Sequence, residues 1–599
     1  MRDLRSYLDK VERFLPDQLV KVKEPLSHEY DITRRIEEMA RIPGNPALLF
    51  ENVKGFSQPV LVNVFGHVNR IKLALEGARN PVATRPDMYR EWGSLMAKTI
   101  EPTTVTIGPV KDVIHQGSYV DLTKLPILRF YEQDAGRYIT SGLVAARDPD
   151  RPEVVNLSYA RMQLKGRAKI GTTLHSRGNM WSYFEKSKAK GKSLEVAVII
   201  GAHPALYLAT AAKITGEYAI TGSLIGEPLR LVKAETVDIP VPADAEIVLE
   251  GRITLAEEDE GPFTEYSGYL SGRSTRNVLE VDCVSMRRDA VYQTIMPSNS
   301  DEHLLLSGLP KQARIFGAVS AFSPIPAVRD MSWPVSGTHY VCLVSMNESA
   351  SKVPGYAKQI GTLVLGLDPY LKLVLLLPSG VDVDDLGACL GAAAERCDMT
   401  TGSGIEMLHN VFCHRLDPSS SQDGTASKAI IVATGPVKTV KGRKLLGIDW
   451  PGIDEAVQPL GDGRLTVLMM SQGSDSKDAL RRLVKSPGVT ICVDNDIDAS
   501  DLRQVVWGMA TRFQPADDFI MQNGGLGIDG TKPEGWKAKR ARTICCSRLP
   551  QSSQRRMCAS SWRRIRSRSA AGASASSRGI RIAGGQKPAA IGEVSSPLR

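Results

Sequence analysis

The alternation of apolar and polar residues divides the chain into three stretches of different character. Near the N-terminus, Leu4, Leu8 and Val11 recur at helical spacing, and ALLFENV and VLVNVFG predict strands. From about 106 to 310, short strands such as VVNLSYARMQL and EVAVIIG are interrupted by two helical patterns, PALYLATAAK and HLLLSGLPKQARIFGAV. After about 325, strands such as YLKLVLLL alternate with helices such as SKVPGYAKQIGTLVLG and DLRQVVWGMATRF. This order predicts a small α/β unit, a barrel-like β core and a separate α/β domain.

The same shifts in pattern predict the domain boundaries. The segments are an N-terminal α/β region at 1–105, a β core at 106–325, a C-terminal α/β domain at 326–536 and a basic low-complexity tail at 537–599.

Two segments of the C-terminal stretch resemble each other. Residues 374–397 and 490–513 each read as a strand, an acidic turn and a helix that starts with Asp385 or Asp501. Aspartate at such a position typically caps the helix N-terminus. An acidic turn can also bind Mg²⁺, but the spacing and central glycine of an EF-hand loop are absent. We therefore expect two helix caps.

The distribution of charge sets the C-terminal segment apart from the rest of the chain. The chain of 599 residues has a net charge of +9. Fifteen Lys and Arg lie between Lys537 and Arg599 against one acid, Glu593, so the preceding residues are mildly acidic. This tail lacks apolar periodicity and is predicted to be disordered or non-native, for example through a frame shift. A nucleic-acid-binding arm is the alternative.

The remaining composition excludes several classes of protein. Apolar residues make up 42% and charged residues 24% of the chain, as is typical of a globular protein. No run approaches the roughly 18–20 apolar residues of a membrane-spanning helix, and the first residues lack the apolar core of a secretory signal. A cytoplasmic protein without membrane partners is expected. The nine cysteines include no CxxC pair, so reduced, mostly buried thiols are predicted.

Residues that can perform chemistry are concentrated in 156–268, which holds NLSYAR, LHSRGN, IGEP and EGPFTE. Asn156, His175 and Glu227 offer oxygen, nitrogen and oxygen donors. This mixture suits Mn²⁺ or Mg²⁺ better than Zn²⁺, which prefers thiolate and imidazole. The alternative is that Asn156 and His175 only satisfy backbone groups.

Arg161, Glu260 and Glu265 form a second candidate set. A guanidinium binds carboxylate or phosphate through paired donors, and two carboxylates near one arginine can separate in pKa. Asn156 and Arg161 are five residues apart, so a regular strand would place them on opposite faces. If both serve one site, the chain must bulge or leave the strand between them. A solvated strand face for Arg161 and a solvated acidic loop for the glutamates are the alternatives.

Several segments closely resemble motifs of the UbiD-type decarboxylases, a family of 3-octaprenyl-4-hydroxybenzoate and aromatic acid carboxy-lyases that use prenylated FMN. The matching segments of this chain are NLSYARMQLKG, HSRGN, VIIGAHPALYLA, GEPLRLVKAETVDIPVPADAEIVLEG, EDEGPFTEYSGY and NSDEHLLLSGLP. The resemblance covers roughly residues 1–535. It implies a mixed α/β (α+β) fold, with a flavin-reductase-like split β-barrel for the cofactor between an N-terminal α/β region and a C-terminal α/β domain used in oligomer contacts.

The resemblance also implies roles for individual residues. Mn²⁺, or Mg²⁺, would be held by Asn156, His175 and Glu227 and would bridge to the cofactor phosphate, with K⁺ often nearby. The Glu-Arg-Glu triad of the family falls on Arg161, Glu260 and Glu265. The cofactor-binding positions implied are Asn156, Ser158, Tyr159, Ala160, Arg161, Leu174, His175 and Glu227.

The expected function is reversible, non-oxidative decarboxylation of an aromatic or α,β-unsaturated acid, with CO₂ or bicarbonate as co-product or co-substrate. Arg161 and Glu260 would position the carboxylate, and Glu265 would act as general acid. A flavin prenyltransferase would supply the cofactor to a homo-oligomer that binds no nucleic acid. The alternatives are a folded member that lacks cofactor because of an aberrant C-terminus, and an ordinary flavin reductase. The substrate, the natural direction and the oligomer size stay open.

Overall fold

The computed structural model describes residues 3–78, 84–174, 178–322, 325–400, 403–414, 416–421, 423–438, 451–484, 487–538 and 540. All of them belong to one compact unit. The tail predicted at 537–599 lies outside the described residues except for its first positions, and the division into domains stays a prediction.

The N-terminal region combines short helices with short strands. Its helices are α1 (Leu4–Phe14), α2 (Asp31–Met39), α3 (Val68–Ala74) and α4 (Arg85–Met96). Its strands are β1 (Leu19–Val22), β2 (Ala47–Phe50), β3 (Val60–Val62) and β4 (Thr103–Thr104). The predicted first helix is confirmed: the Asp3 side chain caps it, and Leu4 and Val11 are buried where the helical spacing placed them.

The central region is rich in strands, as the sequence predicts. They are β5 (Val113–Gln116), β6 (Tyr138–Ile139), β7 (Leu143–Asp148), β8 (Arg151–Tyr159), β9 (Met162–Leu164), β10 (Lys169–Thr172), β11 (Leu194–Ile200), β12 (Arg230–Lys233), β13 (Pro240–Pro242), β14 (Ile247–Glu260), β15 (Phe263–Thr264), β16 (Leu270–Ser271), β17 (Ser274–Met286) and β18 (Tyr292–Gln293). The helices between and after them are α5 (Asn179–Ala189), α6 (Pro204–Ala211), α7 (Glu217–Ile225) and α8 (Asp301–Ala321).

Nine of these strands form one sheet in the order β6-β9-β10-β17-β14-β11-β7-β8, with β5 pairing β17. Its two end strands, β6 and β8, do not pair with each other within the described residues, so the sheet is open, as expected of a split barrel. The pairing of β14 with β17 is the longest and is interrupted by two register shifts, which bend the sheet. Strand β18 instead completes a small sheet, β1-β2-β3-β18, and so ties the two regions together.

The C-terminal region consists of two sheets. Its strands are β19 (Val328–Ser332), β20 (Val341–Met346), β21 (Leu373–Leu377), β22 (Ile405–Phe412), β23 (Thr425–Val432), β24 (Ile453–Val457), β25 (Leu465–Met470), β26 (Gly488–Asp494), β27 (Phe519–Gln522) and β28 (Gly525–Gly530). Its helices are α9 (Glu348–Ser351), α10 (Tyr356–Leu367), α11 (Leu386–Arg396), α12 (Ser476–Leu483), α13 (Leu502–Arg512) and α14 (Pro515–Asp518). The helical pattern SKVPGYAKQIGTLVLG forms a helix only from Tyr356 onward, in α10, because the preceding Gly355 adopts φ +76°.

The two C-terminal sheets repeat one topology. Their orders are β19-β20-β21-β23-β22 and β24-β25-β26-β28-β27, and in each the three inner strands are parallel and the two edge strands antiparallel. The sequence similarity of 374–397 and 490–513 lies at equivalent positions in this repeat. Asp385 and Asp501 cap α11 and α13 by accepting hydrogen bonds from Ala388 and Arg503 backbone N–H groups, which confirms the predicted caps.

The structure also bears on the cysteines and on membrane-spanning helices. Six described cysteines are free and buried, which confirms the expected thiols; they are Cys283, Cys342, Cys389, Cys397, Cys413 and Cys492. Among the described residues, no helix is both long enough and apolar enough to cross a membrane.

Candidate active site

Arg161 lies at a break between two strands of the nine-stranded sheet. Strand β8 ends at Tyr159, β9 begins at Met162, and Arg161 stands in the gap. A regular strand would place Asn156 and Arg161 on opposite faces, and the break between β8 and β9 interrupts this alternation. This is the departure from a regular strand expected if both residues serve one site. The Arg161 side chain is 15% exposed, so it does not belong to a solvated strand face.

The two glutamates follow from the end of β14 and the hairpin after it. Glu260 is the last residue of β14, where the Gly261-Pro262 peptide ends the regular pairing. The chain resumes pairing in the short hairpin of β15 and β16, and Glu265 stands directly after β15. The acidic segment is therefore not a solvated loop at these two positions, since the Glu260 and Glu265 side chains are 0% and 16% exposed.

The guanidinium of Arg161 joins both carboxylates. Its Nε and Nη2 donate to Glu260 Oε2 at 3.2 and 2.7 Å, and its Nη1 forms a short ion pair with Glu265 Oε1. The structure thus brings together Arg161, Glu260 and Glu265, residues about a hundred positions apart in sequence. Such a buried, paired cluster places one cation and two potential proton carriers within a few ångströms.

Two hydroxyl groups complete this cluster, and neither was singled out in the sequence. Thr173 Oγ1 donates to Glu260 Oε2 at 3.0 Å, and Arg161 Nη1 donates to Ser271 Oγ at 2.9 Å. Thr173 directly precedes LHSRGN and Ser271 follows EGPFTEYSGYL, so both border quoted motifs. Single hydroxyls carry no periodic signal, and only the packing of β10 and β16 around Arg161 identifies them.

Burial sets the protonation tendencies of the cluster. The pKa of Glu265 is raised by burial, partly offset by Arg161 and the Ser271 hydroxyl, with the Glu260 carboxylate adding to the rise. The pKa of Arg161 is held above its usual value, because the two carboxylates outweigh the burial that opposes its charge. Glu265 therefore lies among polar groups and has an increased tendency to carry a proton.

A second buried carboxyl, that of Asp134, fixes the hairpin of β15 and β16. Asp134 Oδ1 accepts hydrogen bonds from the backbone N–H and the hydroxyl of Thr264, both at 2.9 Å. Burial outweighs these hydrogen bonds and raises the pKa of Asp134 to about 6. The residue just before Glu265 is thereby fixed to the segment that precedes β6.

The three predicted metal ligands are only partly described. Asn156 lies on β8, 1% exposed, and its Oδ1 accepts from Asn179 Nδ2 at 2.7 Å. Glu227 directly follows Gly226, the C-cap of α7. His175 lies outside the described residues, so the metal set stays a prediction. No cluster of three His, Cys, Asp or Glu suited to a metal is present in the described part of the chain.

Helix α7 links the neighbourhoods of Asn156 and Glu227. Its first residue, Glu217, is 1% exposed and accepts a hydrogen bond from the backbone N–H of Leu157, the neighbour of Asn156. The other oxygen, Oε2, is buried without a hydrogen-bond partner among the described residues. Burial raises the pKa of Glu217 to about 7. Because every residue of α7 is buried, no amphipathic period marked this helix in the sequence.

The remaining predicted cofactor-binding residues line the same stretch of sheet. Ser158 Oγ accepts from Asn156 Nδ2 at 3.0 Å, and the Tyr159 hydroxyl donates to the Tyr207 carbonyl at 2.7 Å. Ala160 and Leu174 are buried at 8% and 9% exposure. The amide oxygen of Asn156 and the Glu227 carboxylate are hard donors of the kind that Mn²⁺ and Mg²⁺ accept. The chemistry of this donor set fits a divalent cation beside a cofactor phosphate.

Comparison with known proteins identifies the class. A family model described as the 3-octaprenyl-4-hydroxybenzoate carboxy-lyase Rift-related domain matches residues 103–300. The N-terminal domain model of the same enzyme matches 16–96, and its C-terminal domain model matches 305–433 and 465–542. Fold and matched domains together define a carboxy-lyase. The chain belongs to the UbiD family, which confirms the resemblance drawn from the sequence.

Three relatives, one of them in two forms, illustrate the family. The anhydromevalonate phosphate decarboxylase of Methanothermobacter thermautotrophicus is 29% identical over 443 residues, covering 73% of this chain and 98% of the relative. The UbiD-class enzyme HmfF of Pelotomaculum thermopropionicum, in complex with FMN, superposes with a TM-score of 0.66 at 33% identity, covering 76% of this chain and 98% of HmfF. An evolved dimeric form of HmfF in complex with prFMN gives a TM-score of 0.64 at 30% identity, covering 75% and 97%. The vanillic acid decarboxylase of Sedimentibacter hydroxybenzoicus gives 0.65 at 27% identity, covering 75% and 96%.

Proposed function

We propose that this carboxy-lyase catalyses the reversible, non-oxidative decarboxylation of an aromatic or α,β-unsaturated carboxylic acid with prenylated FMN as cofactor. In this proposal Arg161 and Glu260 position the substrate carboxylate, and Glu265 delivers a proton to the carbon that CO₂ leaves. Asn156, His175 and Glu227 would hold Mn²⁺ or Mg²⁺ at the cofactor phosphate, with K⁺ nearby.

The observation that carries the proposal is the placement of Arg161 between two carboxylates that are largely or fully buried. A guanidinium in this position is a ready partner for a third carboxylate, that of the substrate, through its fork of N–H donors. An ordinary flavin reductase moves hydride and has no need of a cation that converges with two carboxyl groups. The geometry therefore favours chemistry on a carboxylate.

A substrate carboxylate changes the state of Glu265. If it takes the place of Glu265 on Arg161 Nη1, Glu265 loses the partner that lowers its pKa while burial and Glu260 still raise it. Glu265 then takes up a proton and becomes a neutral acid beside the reacting carbon. Glu260 keeps its two hydrogen bonds from Arg161 and the one from Thr173, and so holds the guanidinium in place.

Prenylated FMN would supply the electron sink, since loss of CO₂ from an unsaturated carbon otherwise leaves a carbanion with no stable orbital to occupy. The residues of this chain would bind the phosphate side through the metal ligands and exclude water from the reacting side through burial. Both tasks fit the positions of Asn156, which is buried on β8, and of Arg161 in the break after this strand.

Aromatic and imidazole rings next to Glu265 support an aromatic substrate. The ring of Tyr266 lies 5.7 Å from His339, 6.0 Å from Tyr370 and 6.4 Å from His303, measured between centroids. The hydroxyl of Tyr266 bonds to that of Tyr340 at 3.1 Å. In this proposal one side of the ring cluster packs against a planar substrate. The name of the vanillic acid decarboxylase states an aromatic acid as the substrate of that relative, and the HmfF structures contain FMN or prFMN. Both facts support an aromatic acid and a flavin cofactor in this proposal.

The test begins with the cofactor. The chain is co-expressed with a flavin prenyltransferase in the presence of Mn²⁺, and the bound cofactor is measured by absorbance and by native mass. We expect the mass of prenylated FMN, lost in Glu227→Ala and kept in Glu195→Ala, an exposed glutamate on β11 that serves as the matched control. A panel of phenolic, phthalate-type and cinnamic acids is then assayed for CO₂ release.

Two results would overturn the proposal. A protein that binds no flavin, both at full length and after removal of the tail, would exclude the cofactor and favour a folded member without catalysis. Rapid oxidation of NADPH together with no CO₂ release from any acid would favour the flavin reductase.

A further inference from the structure

Glu265 belongs to a hairpin too short to hold its own shape. Strands β15 and β16 pair through two residues each, and the turn between them runs from Glu265 to Tyr269. The Glu265 N–H donates to the Tyr269 carbonyl at 2.9 Å, and the Gly268 N–H donates to the Glu265 carbonyl at 2.9 Å. Isolated two-stranded hairpins are marginal in water, so contacts from outside must fix this turn. We call residues 263–271 the acid hairpin.

Helix α13 of the C-terminal region supplies the first of these contacts. Trp507 Nε1–H donates to the Ser267 carbonyl at 2.9 Å. The rings of Trp507 and Tyr269 are stacked, with centroids 5.4 Å apart and planes 16° from parallel, and both side chains are buried. Gly268 allows this approach: it has φ +84°, and a Cβ there would lie 3.2 Å from the Trp507 ring.

Arg512, at the end of α13, fixes the Tyr269 side chain. It is fully buried, and its Nε donates to the Tyr269 hydroxyl at 3.0 Å. Its remaining nitrogens donate to Asp494 at 2.7 Å and to Asp496 at 2.9 and 2.8 Å. The two aspartates hold the guanidinium plane, so the position of the Tyr269 hydroxyl is set by a rigid group rather than by a mobile side chain.

The last described residues close the other side of Tyr269. The Trp536 ring meets the Tyr269 ring edge-on at 5.5 Å, and a backbone bridge joins Tyr269 to Arg540. The Arg540 guanidinium lies 4.3 Å from the centre of the Trp507 ring, a cation–π contact. Tyr269 is therefore enclosed by α13 and by Trp536 and Arg540.

We infer that Tyr269, Trp507 and Arg512 are positioning residues that hold Glu265 against Arg161. The inference rests on the proposed role of Glu265 as general acid. Tyr269 connects the two regions, because its carbonyl accepts the Glu265 N–H while its ring and hydroxyl pack against the C-terminal region. A shift of α13 thus moves the Glu265 backbone directly.

The test is Tyr269→Phe, which removes one oxygen and keeps the ring stack with Trp507. We expect kcat to fall about tenfold or more, since small displacements of a reacting group are costly in rate, with KM and bound cofactor unchanged. The high-pH limb of the kcat profile shifts as well, because the surroundings of Glu265 change. The matched control is Tyr89→Phe, which removes a buried hydroxyl of α4 that donates to Gln312 Oε1 of α8 at 2.9 Å and makes no hydrogen bond to residues 263–271.

The outcomes separate this inference from the proposed function. Wild-type kcat in Tyr269→Phe together with an inactive Glu265→Gln overturns the positioning role and leaves the general acid in place. An active Glu265→Gln overturns the general acid itself. Equal losses of kcat and of thermal midpoint in Tyr269→Phe and Tyr89→Phe also overturn the positioning role, because they indicate a general loss of stability. Recovery of kcat and of the pH profile in Arg512→Lys relative to Arg512→Ala supports the role, since lysine retains one donor toward Tyr269.

Discussion

Arg161 donates two hydrogen bonds to a single oxygen of Glu260, from Nε at 3.2 Å and from Nη2 at 2.7 Å. The Glu260 carboxylate also lies beside the Tyr138 hydroxyl, whose pKa is raised by burial and by this neighbouring charge. Glu260 therefore anchors the guanidinium through Nε and Nη2, while Nη1 pairs with Glu265.

Arg161→Lys removes the fork while keeping the charge. A lysine ammonium cannot span Glu260, Glu265 and the substrate carboxylate together, so kcat/KM is expected to fall about 100-fold. Steady-state decarboxylation measures this. Arg167→Lys is the control, since Arg167 is largely exposed in a weak ion pair with Asp121. Equal activity in both variants would contradict the role of the guanidinium.

Glu265→Gln keeps the shape of the side chain but cannot donate a carboxyl proton. We expect kcat to fall roughly 10²–10⁴-fold, the usual contribution of a general acid, with prenylated FMN still bound. Kinetics and cofactor absorbance on the same sample test both parts. Glu257→Gln, at an exposed glutamate of the same acidic stretch, should match the wild type. Loss of cofactor in Glu265→Gln would instead assign Glu265 to binding.

The pH dependence of turnover should follow the protonation of Glu265. The acid form is the active one, and burial raises its pKa above the ordinary value. Activity is therefore present below the raised pKa and is lost as the pH rises through it. A kcat profile from acidic to alkaline pH measures this limb. A limb that persists unchanged in residual Glu265→Gln activity would exclude Glu265 as its source.

Glu302 predicts a pH dependence of stability that is independent of catalysis. Burial raises its pKa to about 7, although the backbone N–H groups of Met296 and Asn63 donate to it. A carboxyl with a raised folded-state pKa stabilises the fold only while protonated, so stability falls as the pH rises from the unfolded value of 4.5 toward 7. The cost is at most about 3 kcal/mol.

Glu302→Gln should remove this slope, because the amide stays neutral and its oxygen can accept the same two hydrogen bonds. Thermal midpoints between pH 5 and pH 8 provide the measurement. Glu153→Gln, an exposed glutamate on β8, should keep the wild-type slope. An identical slope in Glu302→Gln and wild type would assign the pH dependence to other groups.

Truncation separates the contacts of Trp536 and Arg540 from the residues beyond them. A chain that ends at Arg540 keeps the enclosure of Tyr269 and is expected to retain its thermal midpoint and kcat. A chain that ends at Gly535 loses both side chains, and we expect a lower midpoint and a kcat about tenfold lower. A deficit already present in the chain that ends at Arg540 would show that residues 541–599 contribute to the fold or to activity.

Local patterns along the chain were enough to predict much of the secondary structure. Helix α1 and the capped helices α11 and α13 follow from spacing and from aspartate caps, since both depend on residues within a few positions of each other. The expectation that the chain leaves the strand between Asn156 and Arg161, if both serve one site, also followed from the twofold period of a strand. Helix α7 was not predicted from the sequence, because all its residues are buried and a buried helix has no polar face to reveal its period.

The sequence by itself determined which residue types were available for carboxylate, metal and cofactor chemistry, and through motif resemblance it determined the family. Only the tertiary structure decided how they meet. Arg161 and Glu265 are 104 positions apart, and Tyr269 and Arg512 are 243 apart. Contacts over such separations depend on sheet register and on the docking of α13 against the acid hairpin. No local pattern encodes either, because each results from the packing of whole elements against one another.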